Sequence, residues 1–397
     1  MQPSLAAFAL ALVAACSGAP ATSASTDPED TNAAANEGTT AAPGDAPFSV
    51  AVLTRFDEPW AMTFLPDGRM LVTEKKGRLK LYAIGGTAVD VAGVPAVDYG
   101  GQGGLGDIVL HPDFASNGVV YISYAEAGDG DTRGAAVARA TLVLGDAPRL
   151  DGLQVVWRQQ PKVTGRGHYG HRIAFGPDGM MYVSAGDRQK LDPAQDLDGT
   201  MGKIVRLTDA GAVPDDNPFS HRGGAAAQVW SYGHRNPLGL AFDADGRLWN
   251  TEMGPANGDE LNLVVRGANH GWPVASMGDH YDGRDIPDHA PGDGFAAPQQ
   301  YWVPGIAPGS LMIYSGKLFA DWTGDAFIGA LGGESLLRVD LDGATVKTVD
   351  RWEMQARIRE VEQGPDGAIW LLEDGRSGGR LLKLTPRWPP VSQAVRR

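Results

Sequence analysis

From about residue 47 onward the chain alternates polar turns with short apolar runs rich in β-branched and aromatic residues. The pattern appears as 65-LPDGRMLVTEKKGRLKLY-82, 111-HPDFASNGVVYISYAE-126, 176-GPDGMMYVSAGD-187, 243-DADGRLWNTEMG-254 and 364-GPDGAIWLLEDG-375. A degenerate sixth copy is 321-DWTGDAFIGALGGESLLRVDLDG-343. Pro fixes φ and Gly accepts positive φ, so each Pro-Asp-Gly predicts a turn and the run after it a strand. Several copies continue through a second Gly-containing turn into another strand. The charged stretch 350-DRWEMQARIREVEQG-364 directly precedes such a turn, which predicts a strand there and not a helix. The copies recur roughly 45 to 65 residues apart, with insertions such as 268 to 309. A hairpin repeated this way protects its sheet edges by closing into a ring that tolerates loop insertions on one face. The pattern therefore predicts an all-β fold: a six-bladed β-propeller of four-stranded antiparallel sheets over residues 47–387, with a tail at 388–397. Counting alone leaves five or seven blades open.

Composition agrees with turns over helices, with 54 Gly and 27 Pro in 397 residues. Lys plus Arg number 34 against 48 Asp plus Glu, a formal net charge of −14. That balance argues against nucleic acid as a main partner, because nothing offsets phosphate repulsion. It suits small neutral substrates and divalent cations. At the N-terminus, MQPSLAAFALALVAACSGAP carries an apolar run from Leu5 to Ala15, too short to span a bilayer. VAAC resembles the bacterial lipoprotein signal. This predicts a signal peptide at 1–15 and a lipidated Cys16, the single cysteine of the chain. Ser17 points to the outer membrane, hence a periplasmic location. MQPS supplies no Lys or Arg, and the other reading is an ordinary cleaved signal. Residues 17–46 contain no aromatic residue and read as a flexible tether.

The chemistry concentrates at strand ends. The stretch 163-VTGRGHYGHRIAFGPDGMMYVSAGD-187 places His168 and His171 three residues apart, among Gly165, Gly167 and Gly170. A general base must reach its proton directly, and a strand mouth with little side-chain bulk allows that. Gln102 lies in 99-YGGQGGLGDIVLHPDF-114. Asp187, Arg188, Gln195 and Lys203 lie in 185–207; His234, Arg235 and Asn236 lie in 230-WSYGHRNPLGLAFDADG-246. In a propeller such loops converge over the central channel and share one pocket. Glu252, Gly254, Pro255, Asp259 and Glu260 form a candidate calcium loop, since Ca2+ takes carboxylate and backbone oxygens. A solvated acidic loop is the alternative. The sequence has no zinc spacing and no EF-hand, and GQGGLG lacks the βαβ setting of a dinucleotide site.

Taken in order, PWAMTFLPDGRMLVTEKKGRL, GQGGLGDIVLHPDF, GHYGHRIAFGPDG, AQDLDGTMGKIVRL, SYGHRNPLGLAFDADGRLW, TEMGPANGDELNLVVRGANHGWP, WVPGIAPGSLMIYSG and RIREVEQGPDGAIWLLED span almost all of 50–385. They resemble the soluble quinoprotein sugar dehydrogenases, the pyrroloquinoline quinone (PQQ)-dependent glucose dehydrogenase and the bacterial aldose sugar dehydrogenases. The resemblance implies a six-bladed propeller holding PQQ and Ca2+, oxidising the C1 hydroxyl of aldoses to lactones and passing electrons to an external acceptor. It implies His168 as general base, Gln102 beside substrate and cofactor, and Arg235 and Asn236 on the quinone. Arg235 would steady charge developing there. Gly254 and Pro255 correspond to carbonyl donors to calcium, and Arg357 and Arg359 to cations meeting the cofactor carboxylates. Asp187 and Arg188 fall in the loop near the cofactor. Gly167 stands where the glucose enzyme has an aspartate before its base, which implies a base without that orienting carboxylate. The family's quinone-pairing lysine has no match in 328-IGALGGESLLR-338. His171 reads as a local structural or rim residue, and 274–300 as a solvated loop in preference to an entrance wall. Two other readings stand beside the dehydrogenase: a non-catalytic extracytoplasmic binding propeller and a calcium-dependent lactonase.

Overall fold

The Pro-Asp-Gly turns join the first and second strands of a blade. In the computed structural model, which describes residues 44–387, Gly68, Gly179 and Gly367 take φ of 85°, 74° and 80°. That region is open to glycine at no steric cost. The preceding aspartates lock the turns, with Oδ1 of Asp67, Asp178 and Asp366 accepting the backbone N–H two residues on at 3.0–3.1 Å.

These hairpins belong to six four-stranded antiparallel sheets, which establishes the predicted all-β six-bladed propeller. The first blade comprises Pro59–Phe64, Met70–Glu74, Arg78–Tyr82 and Val89–Val91, the second Leu105–Leu110, Val119–Ala127, Arg133–Val143 and Arg149–Arg158. The third comprises Gly170–Phe175, Met181–Ala185, Lys203–Leu207 and Val229–Tyr232, the fourth Pro237–Phe242, Leu248–Glu252, Asp259–Val264 and Gln300–Trp302. The fifth comprises Met312–Ile313, Ala326–Ala330, Ser335–Asp342 and Thr345–Glu353. The sixth takes Ile358–Gln363, Ile369–Glu373 and Arg380–Pro386 and borrows its outer strand, Phe48–Arg55, from the start of the described chain. Phe48 pairs with Pro386 and Arg55 with Arg380. The charged stretch at 350–364 is not one strand: it closes one strand at Glu353, bends through 354–357 and opens the next as Ile358–Gln363, which runs into the turn as expected. The predicted signal peptide, nearly all of the tether and the C-terminal tail lie outside the described residues.

Second strands such as Met70–Glu74, Met181–Ala185 and Ile369–Glu373 are buried along their whole length. They are covered by neighbouring blades on both faces, so they read as continuous apolar runs without strict alternation. The core lies between blades. Trp249, Leu261, Ile328 and Leu337, for example, pack where the fourth blade meets the fifth. Each such aliphatic side chain contributes about 1.5–3 kcal/mol by leaving water.

The first strands of successive blades surround the axis. Their third residues include Asp107, Arg172 and Glu360, which form a buried polar plug. Arg172 pairs with Glu360 at 2.6 Å and Asp107 at 3.4 Å, donates to the carbonyls of Leu238 and Gly309, and lies 4.1 Å above the Trp60 ring. A cavity of about 90 Å³ beside it is lined by these groups with Thr63 and Glu362. Burial pushes the Glu360 carboxyl up to about 8. Its contribution to stability is present in full below the ordinary carboxyl value of 4.5 and declines as pH rises through 8. Arg172→Met leaves the carboxylates without their cation. Urea unfolding of this variant is expected to show a loss of roughly 3–5 kcal/mol. A loss below about 1 kcal/mol, no more than an exposed pair is worth, would contradict this account of the plug.

Candidate active site

Two neighbouring loops meet at the mouth of the third blade. His168 and His171 take φ of 46° and 59°, and Arg188 and Gln189 take 55° and 59°. Left-handed backbone at four non-glycine residues is costly and persists where packing imposes it, often at functional sites. Here the loops interlock. Gly186 is pressed so closely against His168 that a Cβ would lie 2.2 Å from the His168 carbonyl oxygen.

The backbone N–H of His168 donates to Gln102 Oε1 at 2.8 Å. Its ring Nδ1 lies 2.7 Å from Asp187 Oδ1. Asp187 is fully buried and also accepts from Gln189 N and from the Trp272 indole N–H, both at 2.8 Å. Burial is the largest influence and would raise the Asp187 carboxyl, but His168, Arg235 and the Trp272 indole together outweigh it and lower the group, which holds it ionised. Burial, then the charge of Arg235, hold His168 below its ordinary 6.5 in spite of Asp187. The imidazole is therefore neutral near pH 7, with Nδ1–H directed at Asp187 and the Nε2 lone pair left to accept a proton. The orienting carboxylate that Gly167 was expected to leave missing is thus present, supplied by the adjacent loop. A Cβ at residue 167 would lie 2.4 Å from Gln189 Cδ, so a larger residue there would displace Gln189.

Arg188, expected near the cofactor, is placed differently. The residue is 1% exposed, and its guanidinium stacks 3.9 Å over the Tyr169 ring and donates to the carbonyls of Gly167, Arg133 and Gly165. It is spent holding the His168 loop. His171 is buried, stacked on Trp60 at 5.0 Å and bonded to Ser123 Oγ at 2.8 Å, so it is structural and not on the rim.

The fourth blade brings Arg235 and Asn236 to the same place. Arg235 O accepts from Asp187 N, and Asn236 Oδ1 accepts from Gly170 N. The Arg235 guanidinium reaches Met253 O at 2.9 Å and Tyr281 OH at 3.2 Å, and among the described residues its buried Nε has no hydrogen-bond partner. Glu252 accepts from Arg235 N and Asn262 and contacts His234 Nδ1. Asp259 accepts from the N–H groups of Gly254, Ile306 and Ala307. Glu260 is bonded to Asn262, and burial, with Glu252 beside it, raises its carboxyl well above 4.5. Among the described residues no three His, Cys, Asp or Glu side chains are grouped to hold a metal. Through these bonds Glu252 and Asp259 brace the loop. The Gly254 and Pro255 carbonyls are among the loop oxygens that accept no hydrogen bond from the described residues.

Residues 274–300, expected as a solvated loop, fold back on this site. Ala256 N donates to Asp279 O at 2.8 Å, and Ile286 packs with Ala194 and Trp272 because these apolar groups leave water together. The segment delivers Tyr281, 77% exposed, to Arg235. On the sixth blade Arg359 pairs with Asp374 at 2.7 Å, and Arg357 lies 3.7 Å from the same carboxylate. Burial works against the Asp374 charge, but Arg359, Arg357 and the Arg376 N–H together outweigh it and lower the group to about 2.

The chain has known relatives. The family model described as Glucose / Sorbosone dehydrogenase matches residues 56–383. The chain belongs to that family. Within the Glucose / Sorbosone dehydrogenases it is 41% identical to the aldose sugar dehydrogenase YliI of Escherichia coli (strain K12), over 86% of this chain and 94% of that one. It is 27% identical to quinoprotein glucose dehydrogenase B of Acinetobacter calcoaceticus, over 81% and 84% of the two chains. The apo crystal structure of the E. coli soluble aldose sugar dehydrogenase superimposes with a TM-score of 0.82 at 40% identity, covering 86% of this chain and all of that one. The PQQ-bound aldose sugar dehydrogenase of Streptomyces coelicolor gives 0.71 at 30% identity, over 87% and 100%. Trp272, Tyr281 and the pairing of Asp187 with His168 escaped the sequence reading. The first two carried a signal, an indole in GANHGWP and a tyrosine in an insertion beside the candidate calcium loop.

Proposed function

We propose that this family member oxidises the C1 hydroxyl of aldose sugars to lactones with PQQ and Ca2+ and delivers the electrons to an external acceptor. The observation that carries the reading is the His168–Asp187 pair beside Arg235. It is a neutral imidazole with one nitrogen committed and the other free, in a buried setting with a cation at hand.

The residues present suit the group. Arg357 and Arg359 offer guanidiniums to carboxylates. Arg235 offers an unspent N–H to a carbonyl oxygen, and Gly254 and Pro255 offer oxygens to a hard cation. When bound, PQQ would supply the two-electron acceptor for the hydride leaving C1. His168 Nε2 takes the hydroxyl proton, and Asp187 stabilises the imidazolium that forms. Gln102, exposed and fixed by its bond to the His168 backbone, orients the sugar. Arg235, held by Met253 and Tyr281, faces developing negative charge without having to reorganise.

Titrating purified apoprotein with PQQ, with and without Ca2+, and following dye reduction with an aldose panel tests this reading. Turnover that requires PQQ supports it. Lactone hydrolysis without PQQ would instead favour the calcium hydrolase. A lipid at Cys16 and a place on the periplasmic side of the outer membrane extend the reading. Among the described residues no helix is long and apolar enough to cross a membrane. Intact-mass analysis of the mature protein checks the anchor, and an unmodified Cys16 thiol would remove it.

A further inference from the structure

Lys75 sits in the turn between the second and third strands of the first blade. Its backbone is pinned on both sides, with N–H donating to Glu58 O and the carbonyl accepting from Leu105 N, each at 2.9 Å. The side chain is half-buried, and Nζ donates to Gly101 O at 3.0 Å, one residue from Gln102. That is its one hydrogen bond among the described residues, which leaves two ammonium N–H groups unspent. The neighbouring charges come chiefly from the sixth blade. Burial, then the charge of Arg359, press Lys75 below its ordinary 10.5, and Arg376 adds to the repulsion. Glu58 and Asp374 act in the opposite sense, but both are already engaged. Glu58 is taken by Tyr99 OH at 2.7 Å and Asp374 by Arg359. Arg357, 3.7 Å from the same Asp374 carboxylate, has its Nε buried without a hydrogen bond among the described residues, and burial lowers the pKa of that guanidinium also.

Like charges converging in a half-buried place are costly unless an anion joins them. In a chain of net charge −14, a local excess of cations beside the base's own glutamine marks where that anion belongs. We propose that Lys75 is a cofactor-binding residue whose ammonium takes a PQQ carboxylate across the rim from Arg357 and Arg359. The inference rests on the PQQ reading above and adds to it a residue from the first blade. The cofactor then bridges the sixth blade and the Gly101–Gln102 loop, which fixes its position relative to the loop that holds His168.

The test is direct binding of PQQ to apoprotein, followed by absorbance or calorimetry without sugar. Lys75→Met and Lys75→Gln are expected to weaken binding roughly 10- to 100-fold, the worth of one charge-assisted hydrogen bond. Lys75→Arg is expected to stay within about threefold of the native protein, because it keeps the charge and donors. The native protein's affinity should fall with added salt more steeply than that of Lys75→Met. Thermal unfolding of the apo variants should match the native chain, and Lys75→Gln carries the test if the methionine variant does not fold. Binding within twofold of native in either neutral variant overturns the proposal, even if kcat falls. That pattern would make Lys75 only a brace of the Gln102 loop. A native protein that binds no PQQ would sink the cofactor reading itself, a result distinguishable from failure of the variant alone.

Discussion

Replacing His168 by glutamine is expected to lower kcat for aldose oxidation by roughly 10²–10⁴-fold, the usual worth of a positioned general base. PQQ affinity of the apoprotein should stay within about threefold, since the glutamine removes no charge. The reason is geometric. Nδ1 of His168 is committed to Asp187, so Nε2 is the atom that can accept the hydroxyl proton. A glutamine amide cannot take it. Because burial and Arg235 hold His168 below 6.5, the native enzyme has its base deprotonated at neutral pH. Its kcat should therefore be flat around pH 7 and fall only below 6.5, as the imidazole protonates. The variant should lack that acid limb. Turnover equal to native at saturating PQQ and Ca2+ would remove His168 from the role.

The second large effect belongs to Asp187→Asn. The carboxylate receives a ring nitrogen, an indole N–H and a backbone N–H, so it acts as an acceptor on both oxygens. An amide keeps one acceptor and turns the other into a donor. Where that donor faces His168, the imidazole must carry its proton on Nε2, and the lone pair needed for chemistry is lost. A fall in kcat of roughly 10³–10⁴-fold is expected, the size seen when a histidine base is left in the wrong tautomer. The variant also loses the one neighbour that raises the His168 pKa, so residual activity should show its acid limb at lower pH than native. The native Asp187 has its pKa depressed below 3.8, so its stabilising contribution is present above that pH and lost as pH falls through the folded value. Unchanged kcat and an unmoved acid limb would refute the orienting role.

Which parts of this were legible in advance follows from what a linear pattern can carry. The Pro-Asp-Gly turns were readable because the turn is local: proline, aspartate and a left-handed glycine lie within three residues, and their hydrogen bonds close there. The strand at 358–363 was readable from its neighbour in sequence. The bond from Asp187 to His168 was not, because it depends on two loops in unusual left-handed conformations meeting across 19 residues. Arg188 shows the converse. The family resemblance of its loop suggested the cofactor, yet at φ of 55° its guanidinium stacks over Tyr169 and is spent on the carbonyls of Gly167, Arg133 and Gly165. In 274–300, polar and glycine-rich composition hid Ile286, whose packing on Ala194 and Trp272 helps tie the segment down. The bond from Lys75 to Gly101 was likewise hidden, because it joins turns 26 residues apart that only the folded ring brings together.

The pairing of Phe48–Arg55 with Arg380–Pro386 has a consequence for how the molecule can be built. A chain emerging from its N-terminus must carry that opening strand unmatched until the final segment arrives, and a contact of such long range forms slowly. Until then the nascent ring exposes a hydrogen-bonding edge to any passing chain. Trimming the last strand would therefore remove the latch of the whole ring, whereas a nick in a surface turn would leave the circle shut.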